Sequence, residues 1–267
     1  MGGSGWNKLV ILDKKTKQIE WEYPLEKGWE CNSVDFDKKG NILFSYSKGA
    51  RLLTPEKEII WDILAPEACE LQTAKALSDG NYLLAWCGNP ATIIEVNSQG
   101  EIISKTEFDT GIENPHAQFR QVNKNTQGNY LVPLFQYASV WEISPEGLLQ
   151  KQYQVEGAPF CITKNQNGNY YVACGDAHSF VELNPETGEI ISKIAADDIN
   201  GISLMFVANL LPTKAGGMYL CNWQGHGKSS LQSNPQLVEL DANNKIIWSL
   251  NDNTSFGMIS SVSVFEK

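Results

Sequence analysis

The sequence predicts an all-β fold: a six-bladed β-propeller of four-stranded antiparallel blades, its closing blade shared between the two chain termini. Three observations predict it. A turn followed by long or branched aliphatic residues recurs six times, at Gln18-Ile19-Glu20-Trp21, Glu58-Ile59-Ile60-Trp61, Glu101-Ile102-Ile103-Ser104, Gly147-Leu148-Leu149-Gln150, Glu189-Ile190-Ile191-Ser192 and Lys245-Ile246-Ile247-Trp248. A second echo, Gly40-Asn41, Gly80-Asn81, Gly128-Asn129, Gly168-Asn169 and Gly216-Gly217, opens an apolar run in five of those periods. A period of about 40 to 50 residues built from short strands is the signature of propeller blades. The third observation is at the chain ends, which read as complementary pieces of one blade.

The elements follow in order. Lys8-Leu9-Val10-Ile11-Leu12 and Gln18-Ile19-Glu20-Trp21 read as the two outer strands, C and D, of a blade whose inner strand lies elsewhere. Gly3-Ser4-Gly5-Trp6, ahead of them, aligns with the later loop Gly175-Asp176-Ala177-His178, which leaves no residues for a B strand. On that alignment the natural chain begins earlier and carries a leader, so the protein is expected to be exported, to the periplasm or cell envelope.

The fourth period displays one whole blade: strand A at Phe160-Cys161-Ile162-Thr163, a turn at Asn167-Gly168, and strand B from Asn169 to Cys174. Strand C follows at Ser179-Phe180-Val181-Glu182-Leu183, then the turn Asn184-Pro185-Glu186-Thr187-Gly188 and strand D at Glu189-Ile190-Ile191-Ser192. Gly, Asn and Pro supply the special backbone angles of tight reversals, and alternating apolar residues suit half-buried strands. Met258-Ile259-Ser260-Ser261-Val262-Ser263-Val264-Phe265 reads as a last A strand, which closes the ring and removes open sheet edges.

Composition agrees with one domain over residues 1–267. A hydrophobic content of 42% with 10% aromatics can fill a sizeable core. Neither an 18-residue apolar run nor a signal-like N-terminus is present, so no transmembrane segment is expected. The net charge of −10, with no clustered basic stripe, argues against nucleic acid as a partner. The chain is expected to be a monomer.

In antiparallel blades the D-to-A and B-to-C connections emerge at one end and the A-to-B and C-to-D turns at the other. The second end is short and bland. The first gathers the three histidines, His116, His178 and His226, and the six cysteines. The cysteines form no C-x-x-C pair and occupy strand ends, so buried free thiols are expected rather than disulfides or a zinc site. Long loops around a channel mouth are where propellers carry function.

The candidate residues at that mouth come from three blades. His116, Gln118 and Arg120 alternate ahead of an A strand, and alternation would turn all three toward the channel. Asp176 and His178 sit in one B-to-C loop; Trp223, Gln224 and His226 sit in the next. The imidazoles could hold a divalent metal, or work metal-free with Arg120 on an anionic group. His116, His178 and His226 are the catalytic candidates if a bond is broken. Trp6, Trp29, Trp86, Phe160 and Trp223 could instead form a stacking platform for a sugar.

The stretch from Leu12 to Trp21, the related repeat ending in Trp248, and the segments Asn114 to Gln121, Cys174 to His178 and Asn222 to His226 resemble the six-bladed PQQ-like propellers of Bacteroidetes-type bacteria, in the quinoprotein-like superfamily. True quinoprotein dehydrogenases have eight blades and an adjacent cysteine pair, which this chain lacks, so bound PQQ is not expected. Arylsulfotransferases, similar in blade number, use channel histidines with an arginine, and propeller pectate lyases use histidine and a metal. The reading is an exported propeller binding a small polar or anionic ligand, such as a glycan fragment, at the channel mouth. Its rivals are a histidine-dependent lyase or sulfotransferase-like enzyme at the same site, and a protein-interaction scaffold.

Overall fold

A computed structural model describes residues 1–5, 7–225 and 234–265. The chain opens with β1 (Gly2–Ser4), β2 (Lys8–Leu12) and β3 (Ile19–Pro24). Five four-stranded antiparallel blades follow. The first is β4 (Cys31–Phe36), β5 (Ile42–Tyr46), β6 (Gly49–Leu53) and β7 (Ile59–Leu64); the second is β8 (Glu70–Ala76), β9 (Tyr82–Cys87), β10 (Ala91–Val96) and β11 (Ile102–Phe108). The third is β12 (Asn123–Lys124), β13 (Tyr130–Leu134), β14 (Ser139–Ile143) and β15 (Leu149–Gln154); the fourth is β16 (Cys161–Lys164), β17 (Tyr170–Ala173), β18 (Phe180–Leu183) and β19 (Ile190–Ile194). The fifth is β20 (Val207–Pro212), β21 (Met218–Asn222), β22 (Leu237–Leu240) and β23 (Ile246–Leu250), and β24 (Met258–Ser261) ends the series.

The repeat chemistry explains these blades. In the A-to-B turns Gly40, Gly80, Gly128, Gly168 and Gly216 take φ between 82° and 93°, the left-handed region that glycine enters without strain. The turn's first side chain locks it: Asp37 Oδ1 accepts from the amides of Lys39 and Asn41, and Asn125 and Asn165 repeat the arrangement. The core lies between neighbouring blades, as where Leu43 and Leu52 meet Leu84 and Ile94.

The aliphatic doublets that reveal the period are not core. Ile59, Ile102, Ile103, Leu148, Ile191 and Ile247 are each more than half exposed. They begin the outermost strands, where every blade has a β-bulge, so branched side chains serve the extended backbone rather than burial. The tryptophans behind them do pack: the Trp21 and Trp248 indoles donate to Pro55 O and Lys14 O, both at 2.8 Å, latching each outer strand to the next unit's turn.

Closure corrects the expectation of six four-stranded blades. Five are complete, and the sixth position holds two two-stranded ladders, β1 with β24 and β2 with β3. The ladders touch where the Met1 amine donates to Val10 O at 2.9 Å and Val10 N donates to Met1 O at 3.2 Å. The B strand thought to be missing is partly supplied by Gly2–Ser4, which pair with Ser261, Ile259 and Met258. Two glycines look like loop, but here they allow close approach: a Cβ on Gly3 would strike Met258 O, and one on Gly2 would strike the Cys31 sulfur.

The axis is nearly filled. Ser33, Thr73, Gln121, Cys161, Asn209 and Ser261 line a cavity of about 60 Å³ there. The Gln121 amide donates to Asn32 O (3.1 Å) and Ser260 O (3.0 Å) and accepts from Asn209 Nδ2, tying three other segments of the ring together. No described helix is long and apolar enough to cross a membrane.

Candidate functional site

The richest cluster lies ahead of β12. Pro115 opens a single 3-10 turn, Pro115–Ala117, capped by Asn114, whose Oδ1 accepts from the His116 amide at 3.1 Å. Gln118 then takes φ −79° and ψ −80°, so the two-residue alternation of a strand does not hold here. This corrects the expected common orientation of His116, Gln118 and Arg120. Gln118 is fully buried and faces the body of the second blade. Its Oε1 accepts from Gly88 N at 2.9 Å, while its Nε2 donates to Gly88 O at 2.9 Å and Ile112 O at 2.8 Å. Both Nε2 hydrogens and Oε1 are bonded within the protein, so Gln118 holds this loop against the second blade.

His116 and Arg120 do come together. The exposed His116 ring places Nδ1 2.8 Å from Glu70 Oε2, and Arg120 Nη2 stands 3.2 Å from Nε2. A guanidinium only donates, so Nε2 must be the accepting nitrogen and Nδ1 carries the proton given to Glu70. Arg120 also donates to the carbonyls of His116 (3.0 Å) and Phe119 (2.9 Å), with its charge 4.7 Å from the Phe135 ring centre and 5.9 Å from that of Phe160. It is only 6% exposed. Burial lowers its pKa from the ordinary arginine value, partly offset by Cys87, Glu70 and Glu30, and an arginine so placed stays charged. Arg51, the other arginine, is ion-paired with Asp62; Arg120 has no carboxylate salt bridge among the described residues.

An aromatic series runs from this cluster around the rim. Phe135 stacks on Phe160 (5.7 Å), Phe160 meets Phe206 edge-on (5.3 Å), and Phe206 meets Trp223 (5.3 Å). The Trp223 indole N–H donates to Ser4 Oγ at 2.8 Å, reaching the closing strands. His178, held at φ +52°, brings Nδ1 against the carbonyl of Met205, next to Phe206. Asp176 is exposed in the same loop, and Gln224 donates to Asn234 O at 2.8 Å. His116 and Arg120 are thus in direct contact, while His178 and Trp223 flank the Met205–Phe206 step further round. His226 and Trp6 lie outside the described residues.

The remaining platform candidates divide. Trp86 is buried in the core between blades, and Trp29 stacks on Tyr46 at 3.7 Å with the Arg51 guanidinium 5.1 Å from its ring centre. Trp29 and Glu30 line a groove of about 700 Å³ with Ser4 and Asn7. Among the described residues no three His, Cys, Asp or Glu side chains converge as a metal site. All six cysteines are free, five of them buried and Cys69 partly so.

Glu70 is the neighbour of His116 that the reading of the sequence did not single out. Glu30 and Glu70 occupy the same place in consecutive repeats, immediately ahead of or at the start of β4 and β8, and that recurrence was the available signal.

Over residues 6–245 the chain matches the family described as Mal s 1 allergenic protein-like. A protein of unknown function from Bacteroides caccae, known from a crystal structure, is 57% identical, with a TM-score of 0.95 over 97% of this chain and 95% of that one. More distant is a catalytically inactive histidine-to-alanine form of virginiamycin B lyase from Staphylococcus aureus with quinupristin: 10% identity, TM-score 0.59, 95% and 76% coverage. A nidogen/laminin complex gives 10% identity and a TM-score of 0.66 over 94% and 92%. At such identities the last two show the propeller fold alone. No curated protein matches the chain.

Proposed function

The chain belongs to the Mal s 1 allergenic protein-like family, and because it holds at its loop-rich mouth a buried guanidinium with no salt-bridge partner among the described residues, we propose that it is an exported propeller binding a small acidic ligand there. An acidic glycan fragment, a uronide, is the class that fits. Arg120 carries this reading: a desolvated cation resting on Phe135 and Phe160 gains most from a carboxylate, which offers paired acceptors to its fork. His116, held by Glu70, adds a second polar contact, and the half-buried Trp223, packed edge-on against the buried Phe206, offers apolar surface to the ring face of a sugar.

Calorimetric titration with galacturonate oligomers and with neutral galactose oligomers tests it. Binding of the acidic series alone, weakened at least about tenfold by Arg120→Lys, supports the reading. Equal binding of both series, or an Arg120→Lys variant that binds as tightly as the parent, would falsify it.

One observation favours a second reading, a lyase. The Glu70–His116 bond fixes the tautomer whose Nε2 lone pair can accept a proton, and a relative in fold is named a lyase whose histidine-to-alanine form is inactive. With a ligand carboxylate drawing Arg120 Nη2 off His116, Nε2 would take the proton from the carbon beside the carboxylate; that electron pair forms the double bond to the next carbon as its bond to the leaving oxygen breaks, and the oxygen takes a proton from solvent. Release of an unsaturated uronide, abolished in His116→Gln, distinguishes turnover from binding.

A further inference from the structure

The floor of the mouth is a single layer of residues, one from each unit of the ring. In four inner strands a β-bulge adds one residue at the same level: Asn32, Gln72, Ala208 and Ser260. Each directly precedes a residue that lines the cavity on the axis, namely Ser33, Thr73, Asn209 and Ser261. Arg120 takes this place in the third blade, where the run from Phe119 to Asn123 is one residue longer than the run from Leu131 to Leu134 that it faces, and Gln121 lines the cavity. Phe160 precedes Cys161 in the fourth. Inner strands start at the loop-rich end, so these six residues lie one step above the axial cavity, and none is more than 9% exposed.

The floor is divided by chemistry. Phe160 and Ala208, from neighbouring blades, are apolar; Ser260, Asn32, Gln72 and Arg120, from four successive units, are polar. Ser260 Oγ is already used, donating to Cys31 O at 3.2 Å. Gln72 Nε2 donates at 2.9 Å to Glu70 Oε2, the oxygen that also meets His116 Nδ1, which ties this layer to the His116–Arg120 pair. Gln72 Oε1, however, is buried with no hydrogen-bond partner among the described residues. The backbone carbonyl of Asn32 takes Gln121 Nε2, but its side-chain amide bonds to no described residue although Asn32 is only 5% exposed. Buried amides are ordinarily bonded. A carboxylate on Arg120 brings only acceptors, so two unbonded amide oxygens in the same layer call for a ligand that also brings O–H donors.

We infer that Asn32 is a specificity-determining residue of the acid site, its amide exchanging hydrogen bonds with ligand hydroxyl groups, so that the mouth selects a polyhydroxy acid over a plain carboxylate of similar size. The inference rests on Arg120 holding the carboxylate. Asn32 Oδ1 accepts from a hydroxyl and Nδ2 donates to a ligand oxygen, while the Phe160 and Ala208 side of the floor takes C–H surface.

Calorimetric titration of the whole chain with galacturonate and with cyclohexanecarboxylate, a ring carboxylate without hydroxyls, tests it. The parent is expected to bind galacturonate at least about tenfold more tightly, because a site built around hydroxyl groups leaves its own polar atoms unpaired on an analogue that lacks them. Asn32→Leu keeps the branched shape and removes no side-chain bond within the described protein. It should cost galacturonate roughly tenfold and leave cyclohexanecarboxylate within about twofold, with a melting temperature within about 2 °C of the parent's. Arg120→Lys should weaken both acids. Equal affinity of the parent for the two acids, or an Asn32→Leu variant that keeps both or loses both alike while Arg120→Lys still weakens them, overturns the role of Asn32 and leaves the acid reading standing. A parent that binds neither acid overturns both. Should Asn32→Leu fail to fold, Asn32→Ala is judged by the same ratio of affinities.

Discussion

Replacing Gln121 by methionine removes an amide near the centre of the ring while keeping most of its volume. Two carbonyls, Asn32 O and Ser260 O, lose their donor and Asn209 Nδ2 loses its acceptor, all within buried surroundings. A net contribution of about 1 kcal/mol per bond, rising where a buried partner is orphaned, gives a loss of roughly 3 to 5 kcal/mol. For a chain of this size that is a fall in melting temperature of roughly 6 to 12 °C. Circular dichroism melts would compare Gln121→Met with Gln127→Met, a change at an exposed turn residue that should stay within about 1 °C. If the two variants melt together, Gln121 does not tie the ring, and the account of closure at the axis is wrong.

Gln118→Met should lower the melting temperature by a similar amount, because Gly88 N, Gly88 O and Ile112 O are orphaned, yet leave acidic-ligand affinity within about twofold in the folded fraction; a selective loss of affinity would return Gln118 to the binding surface. An aromatic disulfide reagent at pH 8 should modify at most Cys69 rapidly in the native protein and all six thiols after denaturation. Burial pushes Cys31 and Cys87 up to about 12 and Cys174 to about 11, so several fast thiols would contradict the burial described. Burial raises the Asp37 carboxyl, but hydrogen bonds from Tyr82, Asn41 and the Lys39 amide outweigh it and leave the pKa below the ordinary value. A carboxylate depressed on folding stabilises the fold above the unfolded value of about 4 and loses that contribution as the pH falls through its folded value. Melting temperatures should therefore be flat from pH 7 to 5 and drop below about pH 4, with a smaller drop in Tyr82→Phe; an unchanged profile in that variant would remove Asp37 from the explanation.

The period of turns was legible because each blade solves its local problem with local residues. Gly-Asn reversals need positive φ at one position, and Asp37, Asn125 and Asn165 bond only to amides two and four residues ahead. The bond between His116 and Arg120 was within reach for the same reason, being four residues long. Glu70 was not, since it joins His116 only when consecutive blades pack and residues 46 apart meet.

By itself the sequence determined the all-β class, the blade repeat and the buried thiols. All of these follow from periodicity and turn chemistry, which act over a few neighbouring residues. Only tertiary structure decided that Gln118 turns inward, that Arg120 rests on Phe135 and Phe160, and that Gly2–Ser4 pair as a strand with Met258–Ser261. Those outcomes depend on which backbone groups remain unsatisfied once the ring closes, a sum over segments far apart in the chain.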